Sequence, residues 1–76
     1  MFSKELFGKR IMELRKNHQE KQPILADLLG VSVGHISEIE RGNRTTSPER
    51  IALLCEHYHV SADYLLGLTD DPEPRW

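Results

Sequence analysis

The chain has 76 residues, 38% of them apolar and 29% charged, and its ten basic and twelve acidic side chains leave a net charge of −2. A chain this short holds one domain and buries only about 60% of the surface its unfolded form exposes, which excludes a large sheet and favours short helices in local contact. The lone Cys55 excludes an internal disulfide and a multi-thiolate zinc site, no apolar run approaches the ~20 residues of a membrane span, and MFSKELFGKR lacks the apolar segment of a signal peptide.

A reducing, cytoplasmic setting is therefore expected. From the N-terminus, Ser3 caps a first helix in which Phe7, Ile11 and Leu14 recur at steps of four and three, the spacing of one buried stripe; it fades near Asn17. Leu25, Ala26 and Leu29 mark a second helix of about two turns, entered through Pro23 and stopped by Gly30, a residue suited to a left-handed C-terminal cap. Ser32 caps a third helix with Ile36 and Ile39 inward, closed by Gly42. Ser47 and Pro48 open a fourth carrying Ile51, Leu54 and Tyr58. Ser61 caps a fifth short turn, Asp63 to Leu66, stopped by Gly67 with Leu68 placed to fold back on it. No segment alternates apolar and polar residues at strand length, so the fold class is all-α with five helices.

Charge is unevenly placed. Residues 1–22 hold six basic side chains against three acidic, and residues 41–50 hold three against one. Residues 23–40 hold three acids and no Lys or Arg, and residues 51–76 hold five acids against Arg75. Asp70, Asp71 and Glu73 in a Pro-containing tail account for the deficit, which divides the chain into a globular part, 1–69, and a solvated acidic tail, 70–76.

The two short helices around Leu29-Gly30-Val31-Ser32 form a helix-turn-helix arrangement, in which a glycine allows the sharp turn and the second helix enters a DNA major groove. Across residues 5–68 the chain also resembles the XRE-type regulators that include the phage repressor and Cro proteins. The resemblance runs through Arg10-Ile11-Met12-Glu13-Leu14-Arg15-Lys16, Gln22 with Leu25-Ala26, Leu29-Gly30-Val31-Ser32 and Ile36-Ser37-Glu38-Ile39-Glu40-Arg41-Gly42. It continues through Ser47-Pro48 and Val60-Ser61-Ala62-Asp63-Tyr64-Leu65-Leu66-Gly67. Elements in that order and spacing imply a compact, five-helix, lambda-repressor-like DNA-binding domain with the helix-turn-helix at helices 2 and 3.

By that resemblance Gln22, with Lys21 beside it, contacts the phosphate backbone, and Arg15 and Glu40 form a structural pair joining helix 1 to the end of helix 3. The base-reading positions correspond to Val33, Gly34, Ser37 and Glu38, with His35 beside them. Arg41, Asn43, Arg44, Thr45 and Thr46 fall where the family's loop after helix 3 touches phosphates. Family members pair through the last helix and the residues C-terminal to it, here Tyr64, Leu65, Leu68 and Trp76. Residues 17–21 lack the glycine, the leucine and the Ser/Thr cap that usually precede the glutamine.

Periodicity reaches the same face independently. With Ile36 and Ile39 inward, Val33, Gly34, Ser37 and Glu38 face outward, and small side chains there let the helix approach bases closely. Ser32 at the helix N-terminus and Arg41 and Arg44 beyond its end supply phosphate donors and charge. Val33 suits a thymine methyl, Glu38 the amino group of cytosine, and His35 the N7 or O6 of guanine. A His35 close to phosphates gains a proton more readily, so affinity is expected to rise from about pH 8 to pH 6.

The expected function is therefore a sequence-specific DNA-binding regulator, a repressor of bacterial or phage type. A single recognition helix spans roughly four to five base pairs, too few for selectivity, so a homodimer on a palindromic operator is expected. The other reading is a helix-turn-helix module kept for protein interaction, such as an anti-repressor or antitoxin-like partner. Enzymatic chemistry, cofactors, metals and a small-molecule effector domain are not expected. Cys55, His57 and His59 look metal-like as a set, but helix residues two apart point about 200° apart. The plainer reading makes Cys55 a small buried hydrophobe and places His57 and His59 at a fraying helix end.

Overall fold

Four serines set the helix starts. In the computed structural model, which describes residues 1–76, Ser3, Ser32, Ser47 and Ser61 take extended backbone angles, and each hydroxyl accepts a hydrogen bond from the amide three residues on. The helices they open are α1 (Lys4–Asn17), α3 (Val33–Glu40), α4 (Pro48–Tyr58) and α5 (Ala62–Leu65); α2 (Gln22–Leu29) starts at Lys21 without a side-chain cap, helped by Pro23 in its first turn. The uncapped linker leaves Gln22 as the first residue of α2, where the resemblance places it. No strand forms, as the sequence predicts. Gly30 ends α2 at φ +68°, a left-handed angle that an ordinary side chain resists, and α3 begins three residues later.

Phe7, Ile11, Leu25, Ile36, Ile39, Leu54 and Leu65 fill the centre, one or two from each helix, with Leu14 and Ile51 packed at its edge. Helix α1 lies across α3 at a contact that only glycine permits. A Cβ built on Gly8 would stand 2.0 Å from the carbonyl oxygen of Ile39. The predicted α5 is shifted by one residue, and the amide of Leu68 donates to the carbonyl of Asp63 at 2.8 Å. The backbone therefore folds back as expected while the Leu68 side chain does not: it stays 70% exposed.

The first tail residues are exposed as expected, yet they are tied to the domain. Arg10, buried in α1, donates to the carbonyls of Tyr64 and Thr69 and to Asp70 Oδ1 at 2.7 Å, and its guanidinium lies 4.2 Å from the centre of the Tyr64 ring. The amide of Ser61 donates to the carbonyl of Pro72 at 3.0 Å, and the Trp76 and His59 rings meet edge-on with centroids 5.1 Å apart. A buried guanidinium left without acceptors is costly, and Asp70 with two carbonyls supplies them. Arg10, one of the six basic side chains of residues 1–22, is thus spent internally.

Candidate nucleic-acid interface

Helix α3 presents its outer face as the periodicity predicts. Ile36 and Ile39 are buried; Val33 and Gly34 are exposed, Ser37 and Glu38 half-exposed, and Gly34 has no atom nearer its Cβ position than Ser32 Oγ at 3.7 Å. Lys21 on one side and Arg41, Asn43, Arg44 and Thr45 on the other are exposed around this face. Their placement arises from the two turns, at Gly30 before α3 and at Gly42 after it. Ser32 is exposed, but its hydroxyl already accepts from the amide of His35.

Two of the predicted contacts turn inward. Nε2 of His35 is buried and without a partner, and the imidazole is held below its usual pKa, first by burial and then by the charges of Arg44 and Arg50. Residue 35 is four before Ile39, so it lies within about 40° of the buried stripe, and Nε2 is turned away from the outer face on which the guanine contact was expected. The signal was the i,i+4 relation to Ile39. Thr46 Oγ1 is likewise buried without a partner, so it does not offer its hydroxyl to a phosphate.

Behind α3 the Arg15 and Glu40 pair forms as predicted. Nε and Nη2 of Arg15 meet Oε2 and Oε1 of Glu40 at 2.7 and 3.0 Å, with the side chains 10% and 5% exposed. Arg15 also donates through Nη1 to the carbonyl of Glu20 at 2.8 Å, and Nε2 of Gln22 donates to Glu40 Oε1 at 3.1 Å. The hydrogen bond to Glu40 raises the Arg15 pKa against the opposing effect of burial. A two-pronged pair of this kind fixes geometry as well as charge, and here it ties α1, the start of α2 and the end of α3 together. Gln22 is therefore pre-oriented by Glu40 at the edge of the candidate interface.

A second polar cluster has no signature in the sequence because its members are far apart in the chain. Glu20 accepts from Tyr58 Oη at 2.8 Å and meets His57 Nε2 at 2.7 Å, which clamps the linker before α2 to the end of α4. His57 is thus a partner of Glu20 and not the occupant of a fraying end, and His59 is the left-handed C-cap of α4 at φ +53°. Burial alone would raise the Glu20 pKa, but the hydrogen bonds from His57 and Tyr58, with the nearby charges of His57 and His18, hold it below the ordinary value. Burial and Glu20 in turn push the Tyr58 hydroxyl up.

This cluster makes stability depend on pH. A carboxyl whose folded pKa is depressed stabilises the fold above its unfolded pKa, and that contribution is lost as pH falls through the folded value. Thermal melts should therefore show stability falling below about pH 4.5, the ordinary value for this carboxyl. In Glu20→Gln that acid limb should be shallower; an identical limb in the variant would remove Glu20 as its source.

Cys55 is buried in α4, and burial, with some help from the charge of Glu56, raises its thiol pKa. The four residues expected at a dimer surface separate. Leu65 is fully buried and belongs to the core, so it is corrected out of that set, and Tyr64 is half-buried beneath Arg10. Leu68 and Trp76 remain open, the latter 64% exposed.

A sharp glycine turn between two short helices, the second with a free small-residue face and flanking cations, defines a helix-turn-helix domain. A helix-turn-helix family model matches residues 11–65, and the chain belongs to this family in its XRE-type branch of transcriptional regulators. The family's members are DNA-binding regulators, which are not enzymes. Among its relatives, the HTH-type regulator YazB of Bacillus subtilis is 41% identical over 61 residues, 80% of this chain and 88% of that one. YobD of the same organism is 33% identical over 70 residues, 92% of this chain but 62% of that one, so the chain spans less than two thirds of YobD. Among solved structures, the P22 c2 repressor in complex with a synthetic operator superposes with a TM-score of 0.74 at 36% identity, over 80% of this chain and 92% of that one.

Proposed function

We propose that the chain is a sequence-specific transcriptional repressor that binds a palindromic operator as a homodimer, with α3 in the major groove. The observation that carries this is the exposed face of Val33, Gly34, Ser37 and Glu38, ringed by Lys21, Ser32, Arg41, Asn43, Arg44 and Thr45. Gln22, held by Glu40, stands at its edge. Side-chain donors and cations of this kind position a helix on phosphates, while the small outward side chains admit it to the base edges. Residues 51–76, on α4, α5 and the tail, carry five acids against Arg75, an acidic end of the chain whose asymmetry would orient the basic side of the domain toward a polyanion. Leu68 and Trp76, exposed at that acidic end, supply the dimer contact, and the setting is the cytoplasm, on the nucleoid when DNA is bound.

Selection of bound duplexes from a random pool tests the proposal. A two-fold-symmetric motif is expected, with log affinity falling linearly against log salt at a slope of about −0.9 per phosphate neutralised. Duplex binding that is no tighter at low salt would overturn DNA binding and favour the protein-interaction reading instead.

A further inference from the structure

The carboxylate of Glu38 stands on the outer face of α3, and each of its oxygens already accepts one hydrogen bond from the chain itself. Oε1 accepts from Arg41 Nη1 at 3.2 Å and Oε2 accepts from Asn43 Nδ2 at 3.0 Å. The turn after α3 makes this possible: Gly42, at φ +81°, reverses the chain so that the amide of Asn43 donates to the Glu38 carbonyl at 2.9 Å. That reversal brings the Asn43 side chain back over the last turn of the helix. Two of the exposed donors nearest the end of α3 are thus each engaged through one N–H by the chain's own carboxylate.

We infer that Glu38 is a specificity residue that acts by exchange: it withholds Arg41 and Asn43 from phosphates until a base amino group takes their place on its carboxylate. The inference rests on the DNA-binding reading above. A carboxylate at a groove wall suits the N4 amino group of cytosine, which donates one hydrogen bond to an acceptor that has no proton of its own. Over a cytosine, Glu38 keeps a partner while Arg41 and Asn43 swing to the backbone. Over a base that offers only an acceptor, the carboxylate either keeps its own donors, and the phosphates lose theirs, or faces another acceptor unpaired. Base identity and phosphate grip are coupled through one side chain. The Arg41 and Glu38 side chains are 64% and 42% exposed, so releasing the pair costs little and the exchange is reversible.

Salt titrations of wild type and Glu38→Gln on a random-sequence duplex and on the duplex recovered by selection test the exchange. On random sequence the variant should bind about two- to fivefold tighter at low salt, with a slope steeper by roughly 0.9, one additional phosphate contact. On the selected duplex the gain should be smaller, so the specificity ratio falls. Arg41→Ala should weaken random-sequence binding little in wild type and several-fold in the Glu38→Gln background, a dependence that a mere change of net charge does not produce. Equal gains on both duplexes, or an equal cost of Arg41→Ala in both backgrounds, would overturn the exchange while leaving DNA binding in place. Absence of salt-dependent binding in both proteins would overturn the DNA-binding reading and the exchange together.

Discussion

Gly8→Ala is expected to destabilise the domain by about 2 kcal/mol, although alanine is the better helix former by about 1 kcal/mol. The added methyl would stand 2.0 Å from the Ile39 carbonyl oxygen, with the Ile39 and Glu40 carbonyl carbons at 3.0 and 3.2 Å. All three are backbone atoms of α3 and its end, so no rotamer change relieves the clash, and α1 and α3 must separate. A domain of this size loses roughly 4–8 °C of melting temperature per kcal/mol, so a drop on the order of 10 °C should appear in a thermal melt. Gly34→Ala provides the contrast. That position is helical and exposed, with only Ser32 Oγ at 3.7 Å, and the same substitution there should be neutral or stabilising by up to about 1 kcal/mol. A rise in melting temperature for Gly8→Ala would mean that the two helices do not approach as closely as described.

Glu40→Ala should cost still more, about 3 kcal/mol or above. It strands the Arg15 guanidinium, 10% exposed, and leaves the Gln22 amide without its acceptor. Breaking one half of a buried pair typically costs about 3–5 kcal/mol, because the remaining charge stays buried; replacing both partners by apolar residues removes that penalty. Urea denaturation of Glu40→Ala, Arg15→Met and the double variant measures the coupling. The double variant should be more stable than Glu40→Ala alone, and a coupling energy under about 0.5 kcal/mol would remove the pair from any structural role. The same change should loosen Gln22 and weaken DNA binding even in protein that remains folded.

Much of the fold was legible in local sequence because its signals are local. A serine cap needs only the amide three residues on, so Ser3, Ser32, Ser47 and Ser61 announce helix starts without any knowledge of packing. Gly30 and the steps among Phe7, Ile11, Ile36, Ile39 and Leu54 are equally local, and the residues they mark inward are the buried ones. The outward face of α3 follows by subtraction once Ile36 and Ile39 are inward. The pairing of Arg15 with Glu40 came only through resemblance, since nothing in the spacing of two residues 25 apart announces a contact.

The order of residues thus dictates the helices, the turn between α2 and α3, and which face of α3 is free, because short-range hydrogen bonds and helical periodicity set all three. Packing settles the rest. It turned His35 and Thr46 inward and put Leu65 in the core. It tied Asp70 to Arg10 and Glu20 to His57 and Tyr58, and it left no room for a side chain at Gly8. Each of those outcomes depends on how closely two helices approach or on which distant group meets a buried charge. Both are properties of the packed core, which no single segment encodes.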